Sequence, residues 1–424
     1  MASANTAALL KRIYGELANP LAPSDTLAGD IKFVPQNKQN GEDYRFPVRL
    51  GLEMGATYST THDSYALNGA VDGIYQVAAL QGAEITMRAQ LSYGEMTRLS
   101  DSKGDSVKAY DQGVAVKIAN MIQGAELHRE MNLLYGPGTN ALANIGVISG
   151  IAVAAAAGVV TVNISRASFI PGFWQDARSA QLDVYNGATQ RNPTTAFTVT
   201  GVDIVNCRVQ LTGATAEAAA VAATDVIFFR GARTSSMVGM QAICENTGSL
   251  FGIDASSFPQ WKPINYPVNG SLTFDKVAEC LSVLADNGLT DGCTLYLNNR
   301  AWTDLLTDEV ALRRYLGSSS SETAKPGFKK LEFITNVGLT VIKPHRYLKQ
   351  SLAFAVPTQE WHRVGSTDIT TTAPGNPDEY FFLQQPSNNG AEIRAYSDQA
   401  IVSEIPFHTA ILSGISSSAD SLPA

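Results

Sequence analysis

Five histidines (His62, His128, His345, His362, His408) and four cysteines (Cys207, Cys244, Cys280, Cys293) are the side chains here most able to bind a metal or act as nucleophiles. None is spaced for it. Zinc sites draw ligands in close pairs, whereas these lie far apart along the chain, leaving only a site assembled from distant segments. The sequence contains no HExxH, EF-hand loop, GxSxG elbow or GxxxxGK[ST] phosphate loop. The run Gly136-Pro137-Gly138-Thr139-Asn140-Ala141 fits GxGxxA on paper. However, it follows a helical stretch and not a strand, and Pro137 removes an amide from the phosphate cradle. His345-Arg346 and His362-Arg363 read as surface or strand positions, Asp378-Glu379 as solvated charge, and Trp174, Trp261 and Trp302 as core anchors. The cysteines read as buried thiols in a reducing compartment. No catalytic, cofactor-binding or metal-binding residue is assigned, no cofactor is expected, and the chain is not read as an enzyme. A hydrolase with a β accessory domain is the alternative that a polar pocket with perturbed carboxylates would revive.

Composition narrows the choice further. The 424 residues carry 31 Lys and Arg against 39 Asp and Glu, a net charge of −8, with 45% hydrophobic and 17% charged residues. That much apolar surface can offset the entropy of ordering the chain, which excludes a disordered protein. The acidic balance repels phosphate and excludes a general nucleic-acid binder without a basic patch. The N-terminus places Lys11 and Arg12 after its short apolar run, the reverse of a secretory signal. Ile145 to Ile164 is free of charge, but it lacks Leu, Phe, aromatic belts and basic flanks, so it reads as short strands with Gly turns and not as a membrane span.

The elements follow in a definite order. Leu9, Leu10, Ile13, Tyr14 and Leu17 form one helical stripe, an arm ended by Asn19-Pro20. Asn40-Gly41 signals a hairpin turn. Tyr44, Phe46, Val48, Leu50, Leu52 and Met54 then alternate with polar positions, as do Ile85, Met87, Ala89, Leu91 and Tyr93. Ser102 and Asp105 open a helix carried by Val107, Tyr110, Val114, Ile118, Met121 and Ala125 to Tyr135-Gly136-Pro137, a rod of roughly 45 Å. Asn140 to Arg233 reads as an inserted β-rich domain. Helices around Phe274–Leu284 and Trp302–Leu306 follow, then a Ser-rich loop at Gly317 and a strand-dominated end. Arm and hairpin each show an apolar face away from the most core-like region. Such edges aggregate unless a partner covers them, and an assembly protein puts that hazard to use.

This order resembles the major capsid protein of tailed bacteriophages, the Hong Kong 97-type fold. The stretch EITMRAQLSYGEMTRLSDSKGDSVKAYDQGVAVKIANMIQGAELHREMNLLYG is similar to that family's strand-to-spine junction. SLTFDKVAECLSVLADNGLTDGCTLYLNNRAWTDLL resembles its axial helix, strand and helix, and EIRAYSDQAIVSEIPFHTAIL its terminal paired strands. The resemblance implies an α+β fold. It would comprise an N-arm (1–29), an E-loop extended hairpin (30–81), a peripheral-domain strand and spine helix (82–139), the inserted β-rich domain (140–233), an axial domain (234–345) and returning strands (346–424). It implies homo-oligomeric hexamers and pentamers in an icosahedral virion shell enclosing double-stranded DNA, assembled in the host cytoplasm without a membrane. It further implies a separate scaffolding protein, a portal protein and a decoration protein as partners. An encapsulin-like nanocompartment shares the fold. On this reading Tyr44, Phe46, Val48 and Leu50 of the E-loop, and Leu9, Leu10 and Ile13 of the N-arm, contact neighbouring subunits. Asp at both Phe46 and Leu50 is expected to spare the monomer and block assembly.

Overall fold

The computed structural model describes residues 27–35, 44–60, 64–92, 105–138, 143–308, 331–373, 376–380, 382–384 and 390–417. The expected arm contacts Leu9, Leu10 and Ile13, the Asn40-Gly41 turn and the Ser-rich loop at Gly317 lie outside them.

Period-two alternation builds the first sheet. The strand Ala83–Ser92 runs antiparallel to the first ten residues of Gly390–Ser403, in register from Ala83↔Gln399 to Ser92↔Gly390. Gly390–Ser403 also pairs with Trp361–Thr370 and Phe382–Gln384, and Lys32–Pro35 adds a parallel edge strand on Trp361–Thr370. A 31-residue helix, Asp105–Tyr135, crosses one face. Met121 and Ala125 of the helix pack with Ile393 and Ala395, while Met87, Ala89 and Ile118 close the contact. The polar set Glu84, Thr86, Arg88 and Gln90 is exposed on the strand's other face. The helix lies where the alternation leaves an apolar face to cover.

The helix ends where it must cross another segment. A Cβ at Gly136 would stand 2.2 Å from the Met237 carbonyl oxygen, and one at Gly239 would stand 2.4 Å from the Gly136 nitrogen. The Gly239 amide donates to the Gly136 carbonyl at 2.9 Å. The GxGxxA look-alike is therefore a close backbone crossing, and Gly136 is there because a side chain has no room.

The strands between Gly146 and Phe229 form a closed barrel. In order around it stand Val226–Phe229, Gly146–Ala156, Val159–Ile164, Arg208–Thr212, Phe197–Asp203 and Gln181–Asn186, which pairs back onto Val226–Phe229; every pairing is antiparallel. The charge-free stretch from Ile145 to Ile164 forms two of these strands, turned at Ala157 and Gly158, both at positive φ. Inward residues include Val160, Val162, Leu182, Val184, Phe197, Val199, Val209, Leu211 and Ile227, all buried. Closure leaves short barrels with few open edges. The barrel does not keep its core to itself. The same apolar cluster takes in Met131, Leu133, Leu134 and Tyr135 of the long helix, Leu27 and Ile31, Trp261, Trp361 and Ile411. Phe173 bridges the regions, set edge-on to Trp174 at 4.9 Å and to Phe229 at 5.3 Å between ring centroids.

A second cluster holds the remaining six-stranded sheet, ordered Ile264–Gly270, Ala410–Ile415, Ala353–Val356, Cys293–Leu297, Gly338–Pro344, Leu331–Thr335. Two helices lie against it, Phe274–Asp286 with Thr273 as N-cap, and Asn299–Thr307 with Asn298 accepting the Arg300 and Ala301 amides at 2.9 Å. Trp174, Trp261 and Trp302 are buried, as are all four cysteines, which are free thiols. Among the described residues no helix is long and apolar enough to cross a membrane.

Candidate assembly site

The hairpin pairs Tyr44–Arg49 with Tyr75–Leu80, in register from Tyr44↔Leu80 to Arg49↔Tyr75. Its root is anchored to the body. The Ala79 amide donates to the Phe251 carbonyl at 3.0 Å. Phe46 lies 6.5 Å from the Trp261 ring and 5.9 Å from Tyr44. Tyr44 and Phe46 pack against Leu80, Val364, Ala400 and Val402, while Phe46 and Val48 join the main cluster. Leu50 is 6% exposed. Tyr44, Phe46 and Val48 are thus half-buried, and Leu50 buried, against their own chain. Asp at Phe46 and Leu50 would place carboxylates in that packing. Period two revealed a one-faced strand, but it did not reveal which body covers that face.

The uncovered apolar surface lies farther out. Between the two strands the described residues 51–60 and 64–74 adopt no regular structure, tied by Leu50 and Gly51 amides to the Ile74 carbonyl and by Asn68 to Thr57 and Ala56. Met54 is 70% exposed, Leu67 77% and Tyr58 93%, and Leu52, Val71, Ile74, Tyr75 and Val77 are also exposed. So much exposed apolar surface on one projection is the signature of a contact surface. In the sequence Leu52 and Met54 continue the period-two run expected to form the strand, which ends at Arg49, while Tyr58, Leu67 and Val71 are scattered without period among Gly and Ala.

Where the N-terminal segment joins the body, a polar staple holds it. Glu130 of the long helix, 1% exposed, accepts the Leu27 and Ala28 amides at 2.6 and 3.3 Å, capping the short helix Leu27–Asp30. His345 completes its shell. The Tyr347 amide donates to His345 Nδ1 at 3.3 Å, so Nε2 carries the hydrogen and donates to Glu130 Oε1 at 2.9 Å. Asp30 reaches the other way, accepting from Tyr296 Oη at 2.7 Å and Lys343 Nζ at 2.6 Å. Arg363 Nε donates to the Ile31 carbonyl at 3.0 Å, and its Nη1 shares Asp368 with Arg129. Burial pushes the Asp368 carboxyl up, but Arg363 and Arg129 outweigh it and hold the group below its ordinary value. His345-Arg346 was expected at the surface or in a strand; His345 is instead a buried structural partner, recruited by a carboxylate 215 residues away.

Nothing in this arrangement converges on a reacting atom. A cleft between the strand Ala83–Ser92 and the barrel rim is lined by Glu84, Arg88, His128, Phe229 and Arg230 among others. His128 lies tilted against Phe229, 4.4 Å between ring centroids, and burial lowers its pKa; Arg230 is committed to Asp183 at 3.1 Å. Among the described residues no group of three or more His, Cys, Asp or Glu side chains is placed to hold a metal.

A long helix across a mixed sheet, a second sheet flanked by two helices, and a projecting hairpin together give the α+β fold of phage capsid proteins, the class resembled in sequence. The chain superposes on the capsid chain of cyanophage A-1(L) with a TM-score of 0.54 at 10% identity, over 95% of this chain and 97% of that one. The capsid of an empty GTA particle aligns at a TM-score of 0.48 and 9% identity, covering 96% of this chain and 95% of that one. The holo-SrpI encapsulin complex from Synechococcus elongatus PCC 7942 aligns at 0.44 and 8%, covering 100% and 99%. At such identities the likeness is one of fold. No family model matches the sequence, and no curated protein matches it.

Proposed function

We propose that the chain is a major capsid protein whose copies form the hexamers and pentamers of an icosahedral phage head around double-stranded DNA. One observation carries the reading: a chain with the capsid fold extends a hairpin whose root is locked to its own body and whose tip leaves Leu52, Met54, Tyr58, Leu67 and Val71 exposed. The hairpin acts as the E-loop and grips an adjacent copy, the long helix serves as the spine, and the staple at Glu130 is the point from which an N-arm bearing Leu9, Leu10 and Ile13 reaches a neighbour. The barrel is the inserted domain. An acidic shell (net charge −8) encloses DNA without binding it tightly. Scaffolding, portal and decoration proteins are the partners such a head requires, and the virion its location.

Negative-stain microscopy and sedimentation of the purified protein, alone and co-expressed with a scaffolding protein, test this directly. Closed shells are expected, whereas a strictly monomeric species under every assembly condition overturns it. Shells that hold cargo protein and no DNA would move the assignment to a nanocompartment.

A further inference from the structure

One reaction needs no partner brought in from elsewhere in the fold. An asparagine followed by glycine holds its carboxamide carbon within reach of the next backbone nitrogen, and glycine puts no Cβ in the way of a ring that joins them. Four Asn-Gly pairs lie wholly among the described residues: Asn68-Gly69, Asn186-Gly187, Asn269-Gly270 and Asn287-Gly288. The structure restrains three of them. Asn186 pairs with Thr189 across a tight hairpin turn. Gly270 stands in register with Ile415, and its carbonyl accepts the Ser416 amide at 3.0 Å. The Gly288 amide, the nitrogen that would have to attack, donates to the Ala285 carbonyl at 2.9 Å, while Asn287 Nδ2 donates to the Phe407 carbonyl at 3.0 Å.

Asn68-Gly69 is the exception. It lies in the hairpin tip, outside any strand or helix, with both residues exposed. A Cβ at Gly69 would meet nothing within 4 Å, and the Gly69 amide donates to no backbone carbonyl among the described residues. Two hydrogen bonds hold Asn68: its amide donates to Thr57 Oγ1 at 2.8 Å and its Nδ2 to the Ala56 carbonyl at 3.0 Å. Both are exposed, so water competes for them and they open readily. Neither engages Gly69. The nitrogen that would leave, Nδ2, is the one that ties the two limbs of the tip together. Beside it in the chain stands Leu67, 77% exposed, and Ala56 across the tie lies between the exposed Met54 and Tyr58.

We propose that Asn68 is a self-modifying site, which closes a cyclic imide with Gly69 and hydrolyses to aspartate or isoaspartate ahead of Asn186, Asn269 and Asn287. The Gly69 nitrogen attacks Asn68 Cγ, its proton passes through water to Nδ2, and the Cγ–Nδ2 bond breaks, so ammonia leaves. Water then opens the ring. Addition at Cγ restores the original backbone with an aspartate side chain, whereas addition at the backbone carbonyl leaves the Gly69 nitrogen on Cγ as an isoaspartate link. One water is consumed and one ammonia released; no oxidant, metal or cofactor enters. The new carboxylate can only accept, so it meets the Ala56 carbonyl with no hydrogen to share and the tie is lost. If the tip is the contact with a second copy, as proposed above, the conversion also sets an unpaired charge beside Leu67 in an apolar interface and blocks assembly. A chain that waits unassembled is thereby retired.

Peptide mapping of the purified full chain, incubated at mildly alkaline pH in heavy-oxygen water and sampled over time, tests the chemistry. The peptide carrying Asn68 is expected to exchange its NH2 for labelled OH, as aspartate and isoaspartate together, several times faster than those carrying Asn186, Asn269 and Asn287. No conversion at Asn68, or conversion no faster than at those three, overturns the proposal. Gly69→Ala is expected to slow the conversion about tenfold, and an unchanged rate overturns the ring route. Sedimentation of the aged protein reads the consequence. Shells are expected to hold chains with Asn68 intact and the unassembled fraction the converted ones, and Asn68→Asp is expected to form no shells. Converted chains found in shells and outside them in equal proportion overturn the block on assembly. If fresh protein forms no shells, the reading of the tip as a contact fails and the block with it, whereas the mass result at Asn68 stands by itself.

Discussion

Glu130 has no solvent to fall back on, and its two oxygens serve three donors from two distant segments. Replacing it with Ala strands two amides and the His345 ring hydrogen together, so Glu130→Ala is expected to cost about 3 kcal/mol in urea unfolding of the unassembled chain. Gly136→Ala is expected to be as damaging, about 3 kcal/mol, because its new methyl would meet backbone on two sides and backbone cannot step aside. A pH dependence is built in at His408. Its Nδ1 lies 2.8 Å from Glu360, and that hydrogen bond, against burial, raises the imidazole pKa. A group that binds its proton more tightly when folded stabilises fully below its unfolded value, near 6.5, and loses that contribution as pH climbs through the raised folded value. Glu360→Gln is expected to lower the His408 pKa in an NMR titration and flatten stability across that window. Sequence alone gave no sign that Glu130 and His345 are partners. A carboxylate in mid-helix and a histidine beside an arginine look the same whether they face water or each other, since their partners lie more than 200 residues apart.

At the scale of elements the sequence was more legible. The strand Ala83–Ser92, the helix Asp105–Tyr135 and the helix Phe274–Asp286 lie where alternation, three-and-four spacing and stop signals placed them, because each periodicity reports a face buried by the same chain. The hairpin shows the limit of that reasoning. Its root has the period and is covered at home; past Arg49 the alternation runs on through Leu52 and Met54 with neither strand nor cover, and that is the part left bare. Tyr58→Asp with Leu67→Asp is therefore expected to leave stability within about 0.5 kcal/mol and the circular dichroism unchanged, while abolishing particles in sedimentation. Assembly of that double variant at normal yield would remove the tip from the interface. The barrel was legible as β-rich but not as closed, because closure depends on Val226–Phe229 pairing with both Gly146–Ala156 and Gln181–Asn186, a property of three separated strands.

For the whole molecule, the order of elements was the informative quantity, and it pointed to the fold that the superposition supports. The charge balance, the lone histidines and the scattered cysteines only excluded alternatives. Two long-range pairings hold the body together: Lys32–Pro35 with Trp361–Thr370, and Ala83–Ser92 with Gly390–Ser403. Both join early sequence to late sequence, a topology in which folding is slowed by loop closure.

That ordering in time has a further consequence. The strand that completes the first sheet, Gly390–Ser403, and the one buried within the second, Ala410–Ile415, are both made after almost everything they hold. A nascent chain still on the ribosome therefore carries an unfinished body behind its apolar projection. Under the proposed assembly, synthesis itself would act as a timer: translation would have to pass residue 415 before the polypeptide could polymerise, which would keep incomplete copies out of a growing lattice.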